Sequence, residues 1–324
     1  MRAAYYESNG PAREVLKLGE LEEPLPGPGE VRVKLAASGV NPSDVKARLG
    51  LTRKIAFPRV VPHSDGAGIV DQVGAGIDPR KLGERVWTWN AQWKRAFGTA
   101  AEYVTLPERL TVPLPAQVGF EEGACLGIPA MTAAHAVAAT SVRENSTVLV
   151  SGGAGAVGNY AIQFAKARGA IVLATVSSET KAKLARQAGA DHVIDYKRSD
   201  VAAQIQDITH GGADIALELD INANAKVISA AMRPRGVVIV YGVGAADGPL
   251  HVSSLLFKQI TLKFILVYEL TDTERAAAIA DIMRLMNGGT LIHNVARTFP
   301  LSEIAAAHEA VESGAVAGNV VVRP

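Results

Sequence analysis

The stretch VLVSGGAGAVGNYAIQFAK, residues 148–166, decides the fold. An apolar strand leads into a glycine-rich turn and then into a helix whose apolar residues follow helical spacing. Gly153, Gly155 and Gly158 satisfy the pattern G-x-G-x-x-G directly after the strand, at the start of the helix, which is where the pattern has meaning. Such a turn lets a pyrophosphate approach backbone N–H groups at a helix N-terminus. The alternative is a glycine-rich turn without a ligand.

The rest of the chain divides into two regions with different patterns of predicted secondary structure. From Val148 onward strands and helices alternate, with further strands at IVLATV, HVIDY, ADIALEL and GVVIVYG, which predicts βαβ units and a doubly wound parallel sheet. Up to about Val118, short strand-like segments are cut by Gly and Pro, as in a small antiparallel barrel or sandwich. The tail has helices at 273–287 and 301–313 and a last strand, NVVVR, that can return to pair with the first domain.

Composition excludes several classes of protein. The 324 residues are 48% apolar, so disorder is excluded, and the formal charge of +1 argues against a general nucleic-acid binder. A single cysteine excludes a disulfide framework. The longest apolar run, 124–140, is interrupted by Pro129 and His135 and is interpreted as a buried helix, and the N-terminus has no apolar signal segment. We expect a cytoplasmic protein with neither a membrane nor a nucleic-acid partner.

The end of the second strand of the alternating region indicates which dinucleotide binds. Proteins that bind NAD tend to carry Asp or Glu there for the ribose 2′-hydroxyl. This chain instead has Ser177, Ser178 and Lys181, and the nearest acid, Glu179, lies beyond the expected position. Hydroxyls and a cation suit a 2′-phosphate, so NADPH is favoured over NADH. A surface helix capped by Ser178 would have a similar sequence.

Several motifs together resemble the zinc-independent quinone oxidoreductases of the medium-chain dehydrogenase/reductase superfamily, the zeta-crystallin type. They are GVNPSDV, SDGAGIV, AAEYVTLP, LGIPAMTA and GADHVIDY, and with the glycine turn they span essentially the whole chain. The resemblance implies an α/β protein with a GroES-like β-barrel domain at 1–124, completed by 267–324, and a Rossmann NADPH-binding domain at 125–266. It also implies an active-site cleft between the domains and a homodimer formed through the nucleotide-binding domains.

The resemblance also implies a set of site residues. Asn41 would lie beside the nicotinamide, where it could hydrogen-bond a developing oxyanion or enolate; the alternative is that it caps the turn before Pro42. The positions that match the family's cofactor contacts are Asn41, Thr132, Ala154, Gly155, Ala156, Val157, Ser177, Lys181, Tyr196, Tyr241, Gly242, Phe264, Leu266 and Asn319.

The chain also departs from the family pattern. Lys46 and Thr52 stand roughly where the family often has tyrosines, so the acceptor side is altered. Gly314 replaces a family arginine that helps to bind the phosphate, which weakens the NADPH prediction without reversing it. His63 takes the place of a family glycine, and we expect a hydrogen-bonded turn histidine there, with a role in the pocket as the alternative.

Metal ligands are lacking at the superfamily's zinc positions. Catalytic zinc needs three protein ligands, and these positions are Asn41, Ser64 and Ile128. Cys125 lies in an apolar run, where a buried and inert cysteine is expected. We therefore predict no metal.

Without a strong Lewis acid the acceptor must already be electrophilic. We expect hydride transfer from NADPH to a quinone, with catalysis mainly by proximity and orientation. A reductase for enals or enones is the alternative enzyme, and an NADPH-binding structural or RNA-binding protein is the alternative without turnover.

A tryptophan cluster, WTWNAQW, stands out in a chain that is only 5% aromatic. Together with Thr52, the side chains of Trp89 and Trp93 are predicted to form a wall of the substrate site that stacks on a planar ring. The alternative is that one or two of the three tryptophans simply pack inside the barrel.

Overall fold

The computed structural model describes residues 1–245 and 247–324. The strands are β1 (Arg2–Tyr5), β2 (Lys17–Glu20), β3 (Glu30–Val40), β4 (Asp65–Val73), β5 (Arg85–Thr88), β6 (Tyr103–Pro107), β7 (Thr111–Pro113), β8 (Thr147–Val150), β9 (Ile171–Val176), β10 (His192–Asp195), β11 (Ala213–Glu218), β12 (Met232–Val240), β13 (Thr261–Phe264), β14 (Val295–Pro300) and β15 (Asn319–Arg323). The helices are α1 (Ala12–Val15), α2 (Pro42–Leu49), α3 (Phe120–Gly123), α4 (Met131–Ala138), α5 (Ala156–Lys166), α6 (Glu179–Gln187), α7 (Val201–Thr209), α8 (Ile221–Ala231), α9 (Val252–Phe257), α10 (Asp272–Asn287) and α11 (Ile304–Glu312).

The chain forms two compact units, whose limits differ from those expected from the sequence. The first unit is Met1–Pro129 with His293–Pro324, and the second is Ala130–Ile292. We expected 267–324 to complete the first domain, but 267–292 belongs to the second unit. The reason is that α10 packs against α4, which is buried along almost its whole length.

The second unit is a six-stranded parallel sheet with the order β10-β9-β8-β11-β12-β13. This is the strand order of doubly wound dinucleotide-binding folds, and the order reverses at β8. The glycine-rich turn leaves the carboxyl end of β8, so it lies at the switch point where ligands bind in such sheets. A core that includes Leu149, Leu173 and Val238 holds the helices on the sheet.

The first unit is built on a seven-stranded sheet with the order β14-β15-β3-β4-β5-β7, in which β6 also pairs with β3. The pairs β3–β4, β4–β5, β5–β7 and β3–β6 are antiparallel, as expected for a barrel-like domain. The last strand returns to this sheet, since β15 pairs with β3 in the register Val321 to Gly39. Helix α11 contributes Ile304 and Ala307 to the same core.

The apolar run 124–140 is not the single helix that the sequence predicted. A π-helical turn at Leu126–Ala130 contains Pro129, and α4 begins only at Met131. Proline cannot donate a backbone hydrogen bond inside a helix, so the regular ladder is interrupted there. Within the described part of the chain, no helix combines the length and apolarity needed to cross a bilayer.

Candidate functional site

The glycine-rich turn is held against the neighbouring strand by backbone geometry. Gly152 has φ +68°, and its N–H donates to the Thr175 hydroxyl at 3.1 Å. The next N–H, from Gly153, donates to the Thr175 carbonyl at 3.0 Å. A Cβ on Gly153 would lie 2.7 Å from the Cβ of Ala174, so a side chain there would push the turn away from β9. These contacts fix the turn over the end of the sheet.

The first turn of helix α5 packs directly against the backbone of the glycine-rich turn. A Cβ on Gly158 would lie 2.3 Å from the carbonyl oxygen of Gly152, which only glycine avoids. Gly155 is the N-cap and supplies no side-chain cap, so the first N–H groups of the helix are not satisfied from within it. Gly155, Ala156 and Val157 are partly exposed, whereas Ala154 is buried. The arrangement is suited to an anion such as a pyrophosphate.

A buried carboxylate that the sequence analysis missed supports this turn. Glu218 at the end of β11 is fully buried, and its side chain accepts from the Ser151 hydroxyl at 2.5 Å, the Asp220 N–H at 2.6 Å and the Asn224 amide at 2.8 Å. Its carbonyl also accepts from the N–H of Tyr241 at 3.1 Å. Glu218 therefore ties together the ends of three strands. The signal in the sequence was an acid inside the apolar strand ADIALEL.

The residues predicted for the adenosine side lie at the carboxyl end of β9. Ser178 caps α6 by accepting from the N–H of Lys181 at 3.4 Å, as the capping alternative expects. Tyr196, 52% exposed, donates its N–H to the Val176 carbonyl at 3.0 Å, beside Ser177. The three predicted residues Ser177, Lys181 and Tyr196 thus surround one strand end.

The acid nearest to this strand end is already paired. The carboxylate of Glu179 accepts from the Arg186 guanidinium at 2.9 Å along the outer surface of α6. This salt bridge directs the Glu179 carboxylate toward Arg186, further along α6, and away from the end of β9. The position that would hold a ribose 2′-hydroxyl in an NAD site has serines instead.

The residues predicted for the nicotinamide side of the second unit fall into two groups. Tyr241 and Gly242 follow β12 closely, and a Cβ on Gly242 would lie 2.3 Å from the Leu219 carbonyl oxygen. Burial raises the pKa of the Tyr241 phenol, and the nearby Glu218 carboxylate raises it further. Phe264 and Leu266, by contrast, are 66% and 53% exposed on or beside the edge strand β13. Thr132 lies in the first turn of α4 and is buried.

In the first unit, Asn41 is buried at the start of α2. Its backbone N–H donates to the Asp44 carboxylate at 2.8 Å, and its side-chain amide donates to Asp65 Oδ2 at 2.7 Å. Burial raises the pKa of Asp44 to about 7 and holds the pKa of Asp65 well above its ordinary value. Asn41 is therefore the N-cap residue, as the structural alternative expects, and its amide keeps a second N–H for another acceptor.

The other predicted residue of this unit, Asn319, lies at the start of β15. It is buried, and both its backbone N–H and its side-chain amide donate to the Asn294 carbonyl, at 2.8 and 3.2 Å. The structure thus fixes the orientation of Asn319 from within the first unit.

His63 lies in a buried hydrogen-bonded chain rather than on an open surface. Its backbone is left-handed, with φ +77°, and its Nδ1 lies 2.8 Å from the Ser38 hydroxyl. Its Nε2 lies 3.0 Å from Nε2 of His308 on α11. This agrees with the expected hydrogen-bonded turn histidine, but the partner His308 could not be identified from the sequence.

The tryptophan cluster divides between the core and the surface. Trp87 and Trp89 are 0% and 1% exposed, so they pack inside the first unit, and Trp89 does not form the substrate wall that we expected. Trp93 is partly exposed, but two cations lie near its ring: Arg53 Cζ at 5.1 Å and Lys94 Nζ at 5.6 Å from the centroid. Thr52 is exposed beside Arg53.

No group of three histidine, cysteine, aspartate or glutamate side chains suited to a metal ion occurs among residues 1–245 and 247–324. Ser64 and Ile128, which stand at two of the superfamily's zinc positions, are buried. The thiol of Cys125 is buried, donates to the Glu121 carbonyl at 3.2 Å, and has a pKa raised by burial.

Two family models match the chain. The model described as "Alcohol dehydrogenase GroES-like domain" matches residues 27–116, and the model described as "Zinc-binding dehydrogenase" matches residues 156–283. A quinone oxidoreductase from Homo sapiens is 31% identical over 329 residues, which are 99% of this chain and 97% of that protein. A 2-haloacrylate reductase from a Burkholderia species is 30% identical over 337 residues, which are 100% and 99%.

Solved structures agree over the full length. A structure described as an NAD-dependent alcohol dehydrogenase has a TM-score of 0.92 at 30% identity, and each chain covers 100% of the other. A mycobacterial protein solved as a complex with NADPH has a TM-score of 0.89 at 29% identity, again with 100% of both chains covered.

Proposed function

Since this chain belongs to the quinone oxidoreductase family of the medium-chain dehydrogenase/reductase superfamily, we propose that it is an NADPH-dependent oxidoreductase whose acceptor is a quinone. The observation that carries the proposal is the geometry of the glycine-rich turn at the start of α5. The start of α5 has no side-chain cap, so its first N–H groups can bind a pyrophosphate. Gly158 packs so closely against Gly152 that neither position of the turn has space for a larger side chain.

The residues present fit this cofactor. Gly155, Ala156 and Val157 would hold the pyrophosphate, and Ser177, Lys181 and Tyr196 would surround the 2′-phosphate. When bound, NADPH supplies a hydride at C4 of its nicotinamide. Asn41, fixed by Asp44 and Asp65, would direct its second amide N–H to the oxyanion that develops on the acceptor. The absence of metal ligands at Asn41, Ser64 and Ile128 supports an acceptor that is already electrophilic.

The second candidate is a reductase for carbon–carbon double bonds conjugated to a carbonyl group. It is favoured by the similarity to the 2-haloacrylate reductase, whose named substrate has such a bond. The same cofactor and the same Asn41 would serve both reactions, because each places negative charge on an oxygen of the acceptor.

The deciding experiment mixes the protein with NADPH and follows the nicotinamide absorbance with a small quinone and, in parallel, an α,β-unsaturated aldehyde. Loss with the quinone supports the proposal, and loss with the aldehyde alone favours the second candidate. Binding of NADPH without turnover on either would point to a structural or RNA-binding protein. In the active case Asn41→Ala should lower kcat, and unchanged kcat would remove Asn41 from the mechanism.

The preference for NADPH is expected to depend on Lys181. Replacing it with methionine should weaken NADPH binding about tenfold, the effect of one charge-assisted contact, and leave NADH binding almost unchanged. Lys183→Met is the matched control, because Lys183 is exposed two residues further along α6. The measurement is the dissociation constant of NADPH and of NADH for the wild type and for both variants. Equal losses of NADPH and NADH affinity would contradict a role at the 2′-phosphate.

We also propose that the protein is a cytoplasmic homodimer formed through the second unit. Exposed apolar side chains lie on helix α9, on edge strand β13 and just beyond that strand: Val252, Leu256 and Phe257, Phe264, and Leu266. Such a patch on an open sheet edge is typical of an interface. Phe257, 84% exposed, is its most accessible member.

The variant Phe257→Glu is therefore expected to be monomeric in light scattering. Leu25→Glu introduces the same charge at an exposed leucine of the first unit and should leave the wild-type mass unchanged. A dimer that survives Phe257→Glu would move the interface elsewhere.

A further inference from the structure

Arg53, beyond the end of α2, is a cation with neutral partners. Its guanidinium donates to the side-chain oxygen of Gln92, and its Cζ lies over the ring of Trp93. Other arginines of the first unit pair with carboxylates, for example Arg32 with Asp71 at 2.8 Å and Arg48 with Glu312 at 2.7 Å. Across the described residues, no carboxylate oxygen lies within 4.0 Å of the Arg53 nitrogens.

The two segments that carry Arg53 and its partners have an excess of positive charge. Residues 45–58 include four cations and no acid, and residues 85–101 include three cations and no acid. Asp44 is close enough to Arg53 for the guanidinium to lower its pKa through space, although burial raises that pKa overall to about 7. The positive charge of Arg53 therefore reaches the start of α2, where Asn41 lies.

Gln92 and Trp93 hold the guanidinium in place. The amide of Gln92 donates in turn to the Arg95 carbonyl at 2.8 Å, so its oxygen is directed at Arg53. Arg53 and Lys94 both lie within cation–π range of the Trp93 ring, so a planar acceptor could stack there only by displacing a cation. Trp93 is thus better suited to supporting Arg53 than to stacking on a quinone.

Resting on the function proposed above, we propose that Arg53 recognises a carboxylate on the electron acceptor, with Gln92 and Trp93 as positioning residues. A planar guanidinium can donate two parallel hydrogen bonds to a carboxylate, and such pairs are strong and geometrically specific. The acceptor would then be a quinone or a conjugated alkene that carries an anionic group, held with its electrophilic end toward Asn41.

The test compares 1,4-naphthoquinone-2-carboxylate with its methyl ester, which has the same ring system but no charge. The ratio of kcat/KM for the acid to kcat/KM for the ester is measured with saturating NADPH. In Arg53→Met this ratio should fall roughly ten- to a hundredfold, as expected for the loss of a charge-assisted hydrogen bond. The matched control, Lys54→Met, removes the same charge from an exposed side chain at the next residue and should change the ratio less than about threefold.

The positioning role has its own readout. Trp93→Leu should lower the ratio in the same direction as Arg53→Met, and Trp93→Phe, which keeps an aromatic face for the guanidinium, should restore most of it. A ratio that is unchanged in Arg53→Met overturns the proposal. So does an equal fall in Arg53→Met and Lys54→Met, because it would mean a diffuse field rather than a site.

Equilibrium dialysis of both compounds against the protein loaded with NADP⁺ separates this inference from the proposed function, because it requires no turnover. Preferential binding of the acid that Arg53→Met abolishes, without reduction of either compound, would uphold the carboxylate site and reject the quinone reductase. Reduction of both compounds without preference would do the reverse.

Discussion

The Gly158→Ala variant is expected to fold but to bind NADPH about a hundredfold or more weakly. The new Cβ would lie 2.3 Å from the Gly152 carbonyl oxygen, so either the turn or the first turn of α5 must move. The phosphate contacts depend on backbone N–H groups whose directions are fixed by that packing. A displacement of about 1 Å in a positioned group can cost a factor of 10².

The expected loss of stability in this variant is smaller, about 1–3 kcal/mol, as for other overpacked sites. Ala161→Gly provides the matched control, because it destabilises α5 from within, by about 1 kcal/mol for helix propensity and about 1 kcal/mol more for the loss of a buried methyl group. Thermal melts with and without NADPH measure both effects. NADPH should raise the Tm of the wild type and of Ala161→Gly, and should hardly change that of Gly158→Ala. A normal ligand-induced shift in Gly158→Ala would place the pyrophosphate elsewhere.

The local part of this site could be predicted from the sequence because its determinants are local. The positions of β8, the glycine turn and α5 follow from one contiguous pattern, and Ser178 is the cap of α6 that its sequence suggests. The strand NVVVR was placed correctly as well, but only its pairing with β3 shows how it completes the first sheet.

What the sequence could not predict depends on contacts between distant residues. The Asn41 amide donates to Asp65, and His63 contacts His308, which is 245 positions further along the chain. Glu218 accepts hydrogen bonds from residues at the ends of neighbouring strands. None of these partners follows from periodicity. The prediction that Trp89 forms a wall of the substrate site is wrong for the same reason. A tryptophan in a loop-like segment can be assigned to the core only once the strands that pack against it are known.

The His63–His308 pair is expected to make the stability of the protein sensitive to acid. The Thr99 hydroxyl donates to the Asp65 carbonyl, so the Ser38 hydroxyl donates to Thr99 and accepts from Nδ1 of His63. Nε2 of His63 must then accept from Nε2 of His308. Both rings are neutral, and Nδ1 of His308 is a buried acceptor without a hydrogen-bond partner.

Burial lowers the pKa of His63 from 6.5 to about 3, and burial next to His63 and Arg48 holds the pKa of His308 well below 6.5. Below pH 6.5 these two histidines therefore bind more protons in the unfolded chain than in the folded one. The stability that each neutral histidine contributes is complete above that pH and is lost at about 1.4 kcal/mol per pH unit as the pH falls toward the folded pKa.

Asp44 and Asp65 act in the opposite direction. Because burial raises their pKa values, their contribution is complete below pH 3.8 and is lost as the pH rises toward the folded pKa, about 7 for Asp44. The pH profile of the wild type alone therefore mixes two opposed effects. The difference between the wild type and a histidine variant removes the carboxyl terms, because both proteins share them.

His308→Phe is expected to be less stable than the wild type by about 1–2 kcal/mol at pH 7, since His63 loses its donor. As the pH falls below 6.5 the wild type progressively loses the contribution of His308, whereas the variant has no such contribution to lose, so the stability deficit of the variant should shrink toward acid pH. Denaturant unfolding at several pH values measures the difference, with His192→Gln, at an exposed histidine of the second unit, as the control. A constant difference for His308→Phe would mean that water reaches the buried pair, and the hydrogen-bonded chain from His308 to Asp65 would then not be closed to solvent.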